Sequence, residues 1–207
     1  MDSRIDAGTA AIADGDAKPK TDGRHQRTER NRRKIIAAMI DLVNAGNFDP
    51  AAGDVAARAG VGLRTVYRHF EDMDGLYQEM AAEIEAKVLP RIGTPLSATS
   101  LAGRLAETLD RRVGIFEEIM PARICASARR FRSAFLMADY RRFVAHERKG
   151  VERALADEIP RASPLFAAIE AVMSFETWRR LRLDQDLSPQ DARRVLEAML
   201  DALLAAR

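Results

Sequence analysis

The chain has 207 residues, of which 47% are hydrophobic, 31% charged and 6% aromatic. That length admits one large domain or a small domain beside a larger one, and a mixture rich in Ala, Leu, Arg and Glu favours helices throughout. The 33 Lys and Arg nearly cancel the 31 Asp and Glu, leaving a formal net charge of +2, so any polyanion partner must be sought in how the charge is distributed.

A single cysteine, Cys125, excludes an internal disulfide and is consistent with a reducing compartment. Its ordinary role is that of a small buried apolar side chain, the alternative being a reactive thiol. No run of about 18 apolar residues is present, and the first residues lack an uninterrupted apolar signal core. The expectation is a cytoplasmic protein with no membrane partner. The sequence carries no HExxH, paired CxxC, nucleophile elbow or Gly-rich phosphate loop. No catalytic residue, metal site or cofactor is therefore expected, and His146 is the one histidine outside the basic N-terminal region.

Residues 1–23 are polar, without an apolar period, and read as a flexible arm. From Arg24 the pattern turns helical. Ile35, Ile36, Met39, Ile40 and Val43 form one stripe, which ends around Gly46. Arg24, Arg27, Arg30 and Arg33 crowd the start of this helix, where cations oppose the macrodipole at a few tenths of a kcal/mol each, a penalty that an external anion would relieve. Between Arg24 and Phe70 nine Lys or Arg (Arg24, Arg27, Arg30, Arg32, Arg33, Lys34, Arg58, Arg64, Arg68) face four acids (Glu29, Asp41, Asp49, Asp54). Such a local surplus suits a polyanion.

Asp49-Pro50 predicts the start of a second helix, with Asp as N-cap and Pro in the first turn. Val55, Ala56 and Ala59 give it a narrow apolar face, and Gly60 supplies the residue a tight turn needs at positive φ. Gly62 caps a third helix whose Val66 and Phe70 point to the core. Arg64, Thr65, Tyr67, Arg68 and His69 then cover its outer side. Two guanidinium groups, two hydroxyls and an imidazole on one short helix suit phosphate oxygens and base edges in a major groove. The unit is a helix-turn-helix.

The stretch Val-Ala-Ala-Arg-Ala-Gly-Val-Gly-Leu-Arg-Thr-Val-Tyr-Arg-His-Phe, followed by Glu-Asp-Met-Asp-Gly-Leu-Tyr, closely resembles the DNA-binding domain of TetR-type transcriptional regulators. The likeness covers roughly Arg24 to Met80. On the outer side of the third helix Arg64 and the added Arg68 are the base-edge candidates and Tyr67 and His69 the phosphate candidates, with Thr65 in the same contact set. Three departures from the family pattern remove phosphate partners: Ala51 in place of Thr or Ser, Gly62 in place of a serine cap, and Met73 in place of Lys. The basic first helix, through Arg27, Arg30 and Arg33, is expected to compensate.

A fourth helix, capped within Glu71–Asp74, is expected to run to about Leu89 with Leu76, Tyr77, Met80 and Ile84 inward. Pro90, Gly93 and Pro95 mark a boundary. The expected division is an arm at 1–23, a DNA-binding domain with its connecting helix at 24–90, and a helical ligand-binding and dimerisation domain at 91–207. Leu101, Leu105, Leu109, Val113 and Phe116 predict a helix to about Met120, Pro121 a new Arg-rich one, and Ser133–Ile159 another, with Gly150 as its weak point. Pro160 and Pro164 read as breaks. Leu165, Ile169, Val172, Met173 and Phe175 lead into Trp178 and Leu181. Ser188-Pro189 then opens a last helix with Val195, Leu196, Met199, Leu200, Leu203 and Leu204.

The predicted fold is all-α, a three-helix helix-turn-helix domain followed by a helical bundle. The resemblance implies a homodimer built from the last two helices, through Leu165, Ile169, Val172, Met173, Val195, Leu196, Met199, Leu200 and Leu203. It also implies a small-molecule pocket among the middle helices, with Phe116, Met120, Phe143 and Trp178 as apolar wall and Arg123 as polar anchor. The stretch from Arg123 to Arg132 otherwise reads as a solvated basic face. The expected function is a dimeric repressor, released from a palindromic operator in double-stranded DNA by a small-molecule effector. The alternatives are a helical interaction protein, its helix-turn-helix contacting another protein, or an enzyme-like C-terminal bundle.

Overall fold

The computed structural model describes residues 21–156 and 158–206. The proposed arm therefore lies outside the described residues, apart from its last three positions, which form the first turn of α1 (Thr21–Asn44). The described residues form nine α-helices and no strand, which is the predicted fold class.

In α1 the apolar stripe is buried at Ile35, Ile36, Met39 and Val43. The helix stops where Gly46 takes φ 90° and the N–H groups of Gly46 and Asn47 close onto Val43 O and Leu42 O, each at 3.0 Å. Helix α2 (Ala52–Ala59) starts later than Asp49-Pro50 suggested. Ala51 occupies the cap position without a side-chain acceptor, and the Asp54 carboxylate accepts the Ala51 N–H at 2.9 Å. Asp49 is committed elsewhere, in an ion pair with Arg129 at 2.5 Å. Gly60 turns the chain at φ 64°, and Gly62 caps α3 (Leu63–His69), whose Val66 and following Phe70 are buried.

Helix α4 (Met73–Ile92) is capped by Asp72, whose carboxylate accepts the Gly75 N–H at 2.9 Å. It runs through Pro90 and stops only at Gly93, so the break falls beyond the predicted Leu89. Helix α5 (Leu101–Arg129) corrects a larger expectation, since Pro121 does not open a new helix but lies inside a continuous 29-residue one. A proline there costs about 3 kcal/mol. Burial of Ile119 and Met120 before it and Cys125 after it, in two different cores, holds the helix together across the defect.

Helix α6 (Ala134–Leu155) is capped by Ser133 and ends short of Ile159, at Ala156 with φ 42°. Pro164 is no break but the first turn of α7 (Pro164–Val172), with Ser163 as its cap. The stretch expected to run on to Leu181 is interrupted at Ser174. That serine caps α8 (Phe175–Arg179), which continues into a π-helical turn, Arg180–Asp184. Ser188 and Pro189 open α9 (Pro189–Ala205) as predicted.

Two apolar cores result. One joins α1, α2, α3 and the first half of α4, and takes in Cys125 from α5 and Leu136 from α6. The other gathers the second half of α4 with α5 to α9 around Trp178, Phe166, Ile169 and Leu196. Cys125 is fully buried, with its thiol against the Tyr77 hydroxyl at 3.6 Å. Its environment is the apolar one, and burial raises its pKa.

Two exposed glycines of the head respond to alanine with opposite signs. A Cβ would meet nothing within 4 Å at either Gly53 or Gly60, so backbone terms alone decide. Gly60→Ala forces a side chain into left-handed backbone and is expected to lower stability by about 1–2 kcal/mol. Gly53→Ala, inside α2, is expected to raise it by roughly 0.5–1 kcal/mol. Urea unfolding of the two variants beside the wild type measures both.

Candidate nucleic-acid interface and effector chamber

Burying Val66 and Phe70 fixes the rotation of α3 and so decides what it shows to solvent. Arg64, Tyr67 and Arg68 are exposed, while Thr65 and His69 are half-buried. No hydrogen bond or ion pair to another described residue engages the Arg64 or Arg68 side chain. His69 differs from its neighbours. Its Nε2 is enclosed without a hydrogen-bond partner among the described residues, and burial, followed by the charges of Arg68 and Arg32, lowers its pKa. The shift favours the neutral imidazole, and the half-buried ring is only partly open to a phosphate.

Leu63, 48% exposed and one turn before Tyr67 at 52%, was not anticipated as part of this face. Its signal was present in the i, i+4 spacing, but an isolated leucine at a helix start reads equally well as core. Exposed apolar groups on a reading helix suit thymine methyls.

On α1, Arg27, Arg30 and Arg33 are exposed, and Arg33 pairs loosely with Glu29 at 3.1 Å. Arg32 turns the other way. It grips Glu79 of α4 through two hydrogen bonds of 2.8 and 2.5 Å and lies 5.3 Å over the Phe70 ring. That contact raises the guanidinium pKa and lowers that of the carboxylate. Arg32 therefore ties the head to α4, while its neighbours stay available.

Residues 35–80 match the sequence profile of bacterial regulatory proteins of the tetR family. The head is a TetR-type DNA-binding domain. With it, the chain is a DNA-binding transcriptional regulator. Solved structures extend the likeness in fold beyond the head. A transcriptional regulator from Rhodococcus sp. Rha1 superposes with a TM-score of 0.64 at 17% identity, covering 84% of this chain and 96% of that one. A protein described as a TetR-family transcriptional regulator, from Mesorhizobium loti MAFF303099, gives 0.56 at 19% identity, covering 87% and 98%. No curated protein sequence matches significantly.

Behind the TetR-type head, α4, α5 and α6 enclose a chamber of about 600 Å³. Of the predicted pocket residues, Phe116, Arg123 and Phe143 line it, whereas Met120 and Trp178 do not. Helical phase separates them. Residues 112, 116, 119 and 123 of α5 share one face, and Met120 falls on another, packed in the bundle core. Trp178 is fully buried and donates its indole N–H to Glu117 at 2.8 Å.

The Arg-rich stretch is not a solvated face throughout. Arg123 is largely buried, pairs with Asp139 at 2.8 Å and lies 4.1 Å over the Phe143 ring. Arg129 and Arg130 stack on Tyr77 and Tyr140.

Arg112 was missed. It is 8% exposed, and donates to the main-chain carbonyls of Met173, at 2.5 Å, and Glu147. The signal was an arginine in register with Leu105, Leu109 and Phe116, within an otherwise apolar stripe. Gly150 on α6 makes room for it, since a Cβ there would sit 2.9 Å from Arg112 Nη2. Glu147 was missed as well. Its carboxylate accepts the Phe175 N–H at 2.7 Å, and burial raises its pKa to about 7 despite the cations nearby.

The residues assigned to a dimer interface divide into two sets. Ile169, Val172, Met173, Leu196 and Leu200 are buried within the chain's own core, because α7 and α9 pack on each other, α7 also on α6 and α9 also on α5. Leu165, Val195 and Leu203 remain half-buried, and Met199 is 40% exposed.

Glu147 makes stability depend on pH with a defined sign. Its folded pKa, about 7, lies above the ordinary 4.5, so its contribution is full below about 4.5 and is lost as pH rises through 7. Glu147→Gln keeps an acceptor for Phe175 and cannot ionise. Relative to this variant, the wild type is expected to lose on the order of 1–3 kcal/mol between pH 5 and 8, measured by denaturant unfolding across that range.

Proposed function

We propose that the regulator works as a homodimer that represses by binding a palindromic operator and leaves it when a small molecule fills the chamber. The observation that carries this reading is shared membership. Tyr77 and Met80 of α4 belong to the core of the DNA-binding head and also line the chamber. A ligand that moves the α4 wall moves the base of the reading head with it. The ligand must favour one arrangement, since equal affinity for both would shift nothing.

In this reading residues 24–90 form the DNA-binding domain with its connecting helix, and 91–207 the regulatory and dimerisation domain. Arg64 and Arg68 read base edges, and Tyr67 with Arg27, Arg30 and Arg33 holds phosphates. Thr65 and His69 complete the contact set from their half-buried positions. Phe116, Phe143 and Arg123 meet the effector. The partner subunit packs on Val195, Met199 and Leu203, which form an i, i+4, i+8 stripe on α9, together with Leu165. Dimerisation is needed because one short helix reads only a few base pairs. Two heads related by a two-fold axis read half-sites about 34 Å apart.

Selection of bound DNA from a random pool at two salt concentrations tests the reading. A palindrome with half-sites about one helical turn apart is expected, with affinity falling steeply as salt rises. Retention without an enriched palindrome would overturn the dimeric reader. On the selected operator, Arg68→Ala is expected to cost roughly 1–3 kcal/mol and to relax one base pair, while uniform weakening would make Arg68 a phosphate contact. Arg129 is a poor control, because it anchors the head through Asp49. Arg194→Ala on α9 serves better, since its side chain is 72% exposed and, among the described residues, pairs within its own helix with Asp191.

A further inference from the structure

The chamber is greasy, and its lining is richer in cations than in carboxylates. Met80, Ile84, Val88, Ile115, Phe116 and Ile119 supply apolar wall, yet six arginines line it against three carboxylates. Four of these arginines are tied up at the chamber's edges. Arg104, Arg111 and Arg153 donate to the carbonyls of Ala154, Thr94 and Ile92, Arg104 and Arg111 are further paired with Glu158 and Glu107 outside the lining, and Arg142 reaches Asp139 at 2.8 Å. The other two, Arg112 and Arg123, lie deeper.

Neither hydrogen bond of Arg112 ends on a carboxylate, since both acceptors are main-chain carbonyls. Among the described residues the one carboxylate hydrogen-bonded to Arg123 is Asp139, which it shares with Arg142, while Glu147 and Glu176 act on it through their charge alone. Its Nε is buried and has no hydrogen-bond partner among the described residues. Of the three carboxylates, Asp139 is thus divided between two cations, Glu147 is taken up by the Phe175 N–H, and Glu85 stands half-buried on the α4 wall. A buried guanidinium with a vacant N–H in an arginine-rich, low-dielectric chamber attracts an anion more strongly than the same group would in water.

We propose that the chamber selects an amphipathic anion, a mostly apolar small molecule whose single carboxylate-type group is received by Arg123, with its tail along the α4 and α5 walls. The proposal rests on reading the chamber as the effector site and adds the chemical class of the effector. The potential of Arg112 and Arg142 assists. The face of Phe143, already under the Arg123 guanidinium, keeps that cation in place when Asp139 is drawn partly away.

Three probes of equal chain length separate the possibilities on the full-length protein: decanoate, decan-1-ol and decylammonium, titrated calorimetrically below their aggregation limits. Decanoate is expected to bind at least about ten-fold tighter than decanol, with decylammonium weakest. Arg123→Met is expected to abolish that preference by weakening decanoate at least about ten-fold, with denaturant unfolding showing that the variant is folded; Arg123→Lys is expected to restore much of the preference. Should Arg123→Met not fold, the wild-type ranking decides alone. Equal binding of decanoate and decanol, or tightest binding of decylammonium, would overturn the anion while leaving the chamber a small-molecule site. A preference unchanged in Arg123→Met would overturn the role of Arg123. No binding of any of the three would overturn the chamber as an effector site altogether.

Discussion

The structure hangs on one helix serving two cores. Helix α4 gives Leu76, Tyr77 and Met80 to the head and Val88 to the bundle, with Ile84 packed against both. Tyr77 is fully enclosed, its hydroxyl on the Cys125 thiol, and burial holds that hydroxyl well above the ordinary phenol range. A close-packed interior transmits small displacements because it cannot absorb them. The head therefore does not sit on a flexible linker. Its orientation is set by the packing that also shapes the chamber, and three polar ties reinforce it: Arg32 to Glu79, Asp49 to Arg129, and Ser133 to Asp74 at 2.6 Å.

The buried charges are a different kind of feature. Desolvating a guanidinium is costly, and replacing such groups by apolar side chains often leaves a protein no less stable. Arg112 and Arg123, whose pKa values burial lowers, are therefore poorly explained by stability. Their surroundings are nonetheless built for them. Gly150 leaves space for one guanidinium, and Phe143 with Asp139 supports the other. In the proposed reading, receiving an anionic effector is a reason to hold two cations beside a cavity.

The C-terminal helices show how an intramolecular core claims residues that the proposed dimer interface would also use. A broad apolar stripe on α9 cannot be divided by periodicity alone. Once α7 and α5 have taken Leu196 and Leu200, only the flank bearing Val195, Met199 and Leu203 is left for a partner. The surface that remains is narrower than the stripe suggested, and it continues past the exposed Ala198 and Ala202.

Local chemistry made much of the head legible in advance. A glycine at positive φ, a second glycine as helix cap, and Val66 with Phe70 four apart determine the turn and the rotation of α3, because each acts over a few residues. The caps at Asp72, Ser133 and Ser188 are determined in the same way. What the sequence could not settle depends on distant partners. Pro121 signals a break, and only burial on both sides of it keeps α5 whole. Asp49 signals a cap, and only Arg129, 80 positions away, draws it off. Met120 and Phe116 look alike as apolar residues of one helix and both are buried in the bundle core, yet only Phe116 also lines the chamber. Arg112 stood in an apolar register from the start. Its meaning came only when the fold brought Gly150, Glu147 and Met173 around it, because the free energy of a buried charge is set by neighbours that local sequence does not supply.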